Sequence, residues 1–175
     1  MQKCDMKKVI VIGCPGSGKS TFARALHDIT GLQLYHLGMV YWNADRTTVS
    51  KEVFYERLAE VIAKDSWIMD GNYGSTMELR LQACDTVFFL DYPLYVCMDG
   101  IMSRRGKERL DMPWIEPEDD VDEEFVEFIN SYNSESRPDV MEMLDRYADK
   151  EIIIFKSRDE ADNFLRELEE KYESY

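Results

Sequence analysis

Apolar residues gather into five short runs, Lys8 to Ile12, Gln33 to His36, Ser66 to Met69, Thr86 to Leu90 and Glu151 to Phe155, and each run predicts a strand. Helical spacing fills the intervals. Phe22, Ala23, Leu26 and Ile29 give one helix an apolar stripe that ends at Gly31, and Ser50 caps another whose stripe is Val53, Phe54, Leu58, Val61 and Ile62. Phe125, Phe128, Ile129 and Tyr132 keep the same period, and Pro138 opens a further helix at its first turn. Ser157-x-x-Glu160 is a capping box ahead of Ala161, Phe164, Leu165 and Leu168. Apolar strands alternating with helices predict an α/β fold, a parallel sheet covered on both faces, with ligands at the carboxyl ends of the strands. The segment Gly106 to Asp120 fits neither period and carries Pro113 and Pro117, so it reads as a lid or a loose loop.

Between the first strand and the first helix stands Gly13-Cys14-Pro15-Gly16-Ser17-Gly18-Lys19-Ser20, a complete G-x-x-x-x-G-K-[ST] phosphate-binding loop, followed by Thr21. The glycines let successive N–H groups turn inward, and the positive end of the helix dipole adds to the anion site. Lys19 is expected to reach the β and γ phosphates and Ser20 the magnesium, with Mg-ATP seated on Gly16 to Thr21. A strand-turn-helix corner whose glycines serve only the turn is disfavoured by the correct flanks. Cys14 lies inside the loop near the helix N-terminus, a place that can lower a thiol pKa, but it reads first as a small residue that the loop tolerates.

The 175 residues fit one domain, 1–175, with an acceptor-binding segment at 38–64 and a lid region at about 104–137. Thirty-five acids against 21 bases give a net charge of −14, so no overall field attracts nucleic acid or an anionic membrane, and bases clustered near the site become informative. Cys4, Cys14, Cys84 and Cys97 show no C-x-x-C or zinc spacing, which predicts free thiols in a reducing cytosol. No signal-peptide core and no apolar run able to span a bilayer is expected.

Two strands end in an acid, at Asp70 and at Asp91, and either is placed to hold magnesium through water. Gly71 beside Asp70 lets substrate approach the backbone and favours Asp70, whereas Asp91-Tyr92-Pro93 looks more like a strand terminator. Arg104, Arg105, Lys107 and Arg109 form the densest basic cluster, where planar guanidinium groups suit the equatorial oxygens of a transferring phosphoryl group. Arg137 comes at the far end of the next helical pattern and is placed to close on the phosphates from the other side. The acids of Glu116 to Glu124 read as a charged helix start or lid tip rather than a metal site. His27 and His36 have no second ligand at suitable spacing. Trp67 and Trp114 read as packing residues, as does Trp42, unless it lines a substrate pocket.

With the loop, the chain carries Tyr35-His36-Leu37, Tyr41-Trp42, Trp67-Ile68-Met69-Asp70-Gly71-Asn72-Tyr73, Glu78-Leu79-Arg80-Leu81, Phe89-Leu90-Asp91-Tyr92-Pro93, Arg104 to Arg109 and Ser136-Arg137-Pro138. Over nearly its full length it resembles the adenylate-kinase-like branch of P-loop kinases, most closely the bacterial family of DNA topology modulation proteins. That resemblance implies a three-layer P-loop NTPase fold with a five-stranded parallel sheet of order 2-3-1-4-5. It matches Asp70 to the magnesium-site aspartate, makes Arg105, Arg109 and Arg137 lid and closing arginines, and sets Lys156 to Arg158 near the adenine. Two positions depart from the family pattern: Gly38 stands where it has an aspartate, and Ser75 where it has an arginine. Both lie on the acceptor side.

The expected activity is ATP-dependent phosphotransfer, with magnesium, to a small acceptor bound near Trp42, Asn72, Tyr73 and Arg80. That acceptor is either nucleoside-monophosphate-like, with Arg80 the remaining inner base, or a hydroxylated metabolite, with Asp70 the base candidate. The alternative is a nucleotide-binding regulator or slow NTPase that has no small-molecule acceptor.

Overall fold

The computed structural model describes residues 6–41, 45, 47–72, 74–103, 127, 131–132 and 134–174. Strands β1 (Lys8–Gly13), β2 (Leu34–His36), β3 (Trp67–Asp70), β4 (Thr86–Leu90) and β5 (Glu151–Phe155) follow the five apolar runs, with ends shifted by a residue. They pair in parallel in the order β2-β3-β1-β4-β5. This is the sheet that the family resemblance implies.

Each central strand is buried on both faces. Val9 and Val11 of β1, with Phe88 and Leu90 of β4, pack against α1 (Lys19–Thr30), α5 (Leu94–Ser103) and α7 (Arg158–Glu173). Ile10, Ile12, Val87 and Phe89 face α3 (Lys51–Ile62), α4 (Gly74–Ala83) and α6 (Arg137–Arg146). A parallel sheet covered in this way excludes water from its backbone ladder, which is why its strands read as continuous apolar runs.

The helix boundaries follow local chemistry. Ser50 Oγ accepts from the Val53 N–H, and Ser157 Oγ accepts from the Glu160 N–H, while Glu160 reaches back to the Lys156 N–H. Gly31 takes a left-handed conformation and donates to the His27 carbonyl, which ends α1. Pro138 sits in the first turn of α6. Of the helical pattern at Phe125, Phe128, Ile129 and Tyr132, only Tyr132 is among the described residues, where it is buried in the α1 face of the core.

Three helices were not singled out by apolar spacing: α2 (Leu37–Tyr41), α4 and α5. In α4 the buried face is Thr76, Met77, Arg80 and Leu81, so half of its inward positions are polar and the stripe is broken. The segment 38–64 contains α2 after its first residue and all of α3.

Helix α5 lies directly on the phosphate loop. An added Cβ at Gly100 would stand 2.0 Å from the Gly16 carbonyl oxygen, and one at Gly16 would stand 2.0 Å from the Cys97 carbonyl oxygen. Both clashes are with backbone, which cannot swing away. Gly100→Ala should therefore lower stability by about 1–3 kcal/mol through overpacking, although alanine ordinarily favours a helix interior by about 1 kcal/mol. Urea unfolding of the two proteins checks this; a midpoint equal to or above that of the parent would mean that loop and helix are not in contact.

Candidate functional site

Residues 13–18 leave the end of β1 and enter α1, and their main chain is held from several sides. Gly16 and Gly18 adopt φ of +84° and +96°, a region that other residues enter only with strain. The Ser17 N–H donates to the Cys14 carbonyl at 3.0 Å. The Asn72 carboxamide accepts from the Gly13 N–H at 3.1 Å and donates to the Gly13 carbonyl at 2.6 Å. Arg158, from the first turn of α7, donates to the carbonyls of Ser17 at 3.1 Å and Gly16 at 3.3 Å, with its guanidinium 5.6 Å from the Tyr92 ring centroid. Lys19 Nζ lies against the carbonyls of Gly13 and Cys14, at 3.1 and 3.3 Å.

Next to the loop, β3 ends at Asp70, which is buried and in register with Val11 of β1 and His36 of β2. Side chains in register across a parallel sheet share a face. Asp70 and His36 thus turn toward the face that α1 covers, and His36 Nδ1 meets Asp70 Oδ2 at 2.6 Å. Asp70 Oδ1 has no partner among the described residues. Ser20 and Lys19 open α1 on that same face, and Ser20 Oγ accepts from Arg24 at 2.7 Å.

Several residues expected to touch substrate or phosphate hold main chain or other side chains in this structure. Arg80 is fully buried and donates to the carbonyls of Gly71, at 3.0 Å, and of Asn72, so it fixes the turn after β3. Asn72 braces the loop. Arg137 forms a bidentate pair with Asp91, both bonds 2.8 Å, and Lys156 Nζ reaches the same carboxylate at 2.6 Å. These groups, with Tyr92 and Pro93, line a cavity of ≈ 420 Å³ at the carboxyl ends of β4 and β5. The Asp91 that looked like a strand terminator is the anchor of two bases. Trp42, Tyr73, Arg104, Arg105 and Arg109, together with Cys4, Lys107 and the segment Gly106 to Asp120, lie outside the described residues.

The helix N-terminus does not lower the Cys14 thiol: the Cys97 thiol and burial push it well up. The His36–Asp70 pair went unread because a lone histidine has no ligand spacing. Its signal lay in topology, since these are the last residues of neighbouring strands.

No family model matches the chain. Over 112 residues it is 29% identical to the adenylate kinase of Thermotoga maritima and 28% to that of Thermotoga petrophila, a match covering 59% of this chain and 49% of each relative. The chain thus spans about half the length of these curated relatives. A shikimate kinase from Bacteroides thetaiotaomicron superposes with a TM-score of 0.58 at 18% identity, covering 96% of this chain and 99% of that one. A shikimate kinase from Acinetobacter baumannii in complex with shikimate gives 0.53 at 13% identity, covering 97% and 94%. A Janibacter sugar kinase gives 0.51 at 17% identity, covering 95% and 91%. The fold is that of the P-loop kinases. None of these comparisons bears out the narrower likeness to DNA topology modulation proteins.

The residues present fit Mg-ATP. The loop turns on two glycines with positive φ, and the Ser20 hydroxyl and Asp70 carboxylate are the hard oxygen donors that suit magnesium.

Burial acts to raise the Asp91 carboxyl, but Arg137 and Lys156 outweigh it and hold it below the usual carboxylate range. A group depressed in the folded state contributes stability that is complete above its unfolded value, about 3.9, and lost as pH falls through the lower folded value. Asp91→Asn should lower the unfolding free energy at pH 7 by about 1–3 kcal/mol, and the gap should narrow at pH 4 and again at pH 3. Denaturant titrations at the three pH values decide it; an undiminished gap at pH 3 would assign the loss to packing.

Proposed function

We propose that the protein is a P-loop kinase that transfers the γ-phosphoryl group of ATP to a hydroxyl group of a small metabolite. One observation carries the reading: the loop's Lys19 and Ser20 and the buried Asp70 belong to one face of the sheet, at the carboxyl ends of adjacent strands. Phosphoryl transfer needs a cation, a hydroxyl and a carboxylate together there. Lys19 would exchange main-chain carbonyls for the β and γ phosphates. Asp70, with His36 holding one oxygen, would offer the other to a magnesium-bound water. Magnesium, when bound, neutralises charge on the phosphates. Arg104, Arg105 and Arg109 belong to the proposed lid at 104–137, and Arg137 would leave Asp91 for the phosphates as that lid closes. Catalysis is then positioning and charge neutralisation.

The acceptor side favours a hydroxylated metabolite over a nucleoside monophosphate. Arg80, the base offered to an acceptor phosphate, is buried and bonded to main-chain carbonyls, and Gly38 and Ser75 carry no charge. The shikimate and sugar kinases of the same fold support this choice. The engagement of Arg80 and Arg137 within the protein favours a second reading, a nucleotide-binding regulator or slow NTPase without an acceptor.

Lys19→Ala is expected to abolish most Mg-ATP affinity or turnover with the fold intact, as measured by titration calorimetry and circular dichroism. Unchanged affinity and turnover would remove the phosphate-loop reading. Incubation with γ-labelled ATP and a pooled set of nucleotides and metabolites should label a hydroxylated compound and leave adenosine monophosphate poorly used. Efficient phosphorylation of adenosine monophosphate would overturn the acceptor assignment, and slow ADP release with no labelled acceptor would establish the regulatory reading.

A further inference from the structure

Cys14, the second residue of the phosphate loop, and Cys97, in the middle of α5, sit in one buried cluster, 1% and 0% exposed. Each thiol is the leading influence on the titration of the other. Backbone contacts hold the loop and α5 together beside the two thiols. Gly16 lies against the Cys97 carbonyl and Gly100, one turn further along α5, lies against the Gly16 carbonyl, so loop and helix touch at Gly16, two residues beyond Cys14. Lys19 from α1 and Arg158 from α7 act on Cys97 as nearby positive charges, against Asp91. The buried Tyr132 hydroxyl, unpaired among the described residues, belongs to the same electrostatic neighbourhood.

The two thiols are unequal. The Cys14 thiol, helped by Lys19 and Arg158 and opposed by burial, pulls the Cys97 thiol below its usual value, while Cys97 and burial push Cys14 up. A depressed thiol beside a second one is the arrangement in which oxidation proceeds to a disulfide rather than to higher acids.

We propose that Cys14 and Cys97 form a redox modification site, which a hydroperoxide converts into a disulfide that ties the phosphate loop to α5. The Cys97 thiolate attacks the peroxide, the O–O bond breaks, and hydroxide leaves a sulfenic acid. The Cys14 sulfur then gives up its proton and attacks the Cys97 sulfur, and the S–O bond breaks with loss of water. Two thiols and one hydrogen peroxide give one disulfide and two waters, the two electrons passing from sulfur to peroxide. Because both thiols are buried, peroxide reaches them during local opening, and the reaction is slower than at an exposed thiol.

The bond would deform the loop. Bonded sulfurs stand about 2.05 Å apart, closer than any two unbonded sulfurs, and the Cys14 carbonyl is the acceptor for both the Ser17 N–H and Lys19 Nζ. Drawing Cys14 toward α5 shifts that turn and its lysine. This consequence rests on the loop being a nucleotide site; formation of the bond does not.

Cys84 is an internal control. It is equally buried but on the opposite face of the sheet, where burial pushes its thiol up to about 11, and its Sγ meets only the Leu81 carbonyl, at 3.4 Å.

The full-length protein is treated with hydrogen peroxide, alkylated under denaturing conditions and digested without reductant for mass spectrometry. The expected product is a peptide pair joined through Cys14 and Cys97, lighter by two hydrogens, cleaved by dithiothreitol and missing from Cys97→Ser, with Cys84 recovered alkylated. Recovery of Cys14 and Cys97 alkylated or separately oxidised, after exposure that exhausts a small thiol standard, would overturn the proposal. Mg-ADP affinity, measured by calorimetry, should fall at least tenfold on oxidation, return on reduction and be insensitive to peroxide in Cys97→Ser. Cross-linked protein with undiminished affinity would refute the effect on the loop. If the reduced protein fails to bind Mg-ADP, the nucleotide reading fails, while the peptide map still decides the disulfide.

Discussion

The carbonyls of the loop between β1 and α1 are held by groups from several elements, and those bonds knit together the carboxyl end of the sheet. The Gly13 carbonyl takes Asn72 and Lys19, Cys14 takes the Ser17 N–H and Lys19, Gly16 and Ser17 take Arg158, and Gly18 takes the Phe22 N–H. The donors come from the loop itself, from just past the end of β3, from α1 and from α7. β1 lies between β3 and β4, so the loop that follows it stands beside the end of β3. An unpaired buried carbonyl costs on the order of 1–3 kcal/mol, so the loop's shape depends on the whole carboxyl end of the sheet.

Charge near the site is arranged locally against an acidic chain. The overall −14 opposes an anionic ligand, yet Arg137, Lys156 and Arg158 enter the carboxyl end of the sheet from α6, from the end of β5 and from α7. Asp91 holds the first two. Such a pairing keeps side chains of opposite sign ordered near the surface without a ligand, and a phosphate would compete with the carboxylate for the same guanidinium.

The sheet and the loop were legible because their signals are contiguous: apolar runs of strand length, a fixed glycine spacing and capping residues at Ser50 and Ser157. The sheet order came through the family resemblance, because runs of similar apolarity do not state which strands are neighbours. Asn72 and Arg80 read in sequence as groups for the acceptor, Arg80 as the remaining inner base. Arg80, however, follows Thr76 and Met77 at helical spacing and precedes Leu81, which places it on the buried side of α4. Asp91 gave no such clue, since its partners lie 46 and 65 residues away. Local pattern reports what a residue does to its own element, whereas pairings at that range exist only once the sheet is assembled.

The clasp between Asn72 and Gly13 carries the pairing of β1 with β3 two residues beyond Val11 and Asp70, made by a side chain instead of a strand. A carboxamide both donates and accepts at the same reach, and Gly13 presents one group of each kind. Aspartate, almost the same in volume, would set two oxygens against each other at the Gly13 carbonyl. This position therefore distinguishes amide from acid by the replacement of one nitrogen atom, which makes the seating of the loop sensitive to side-chain deamidation, the slow hydrolysis that makes that replacement as a protein ages.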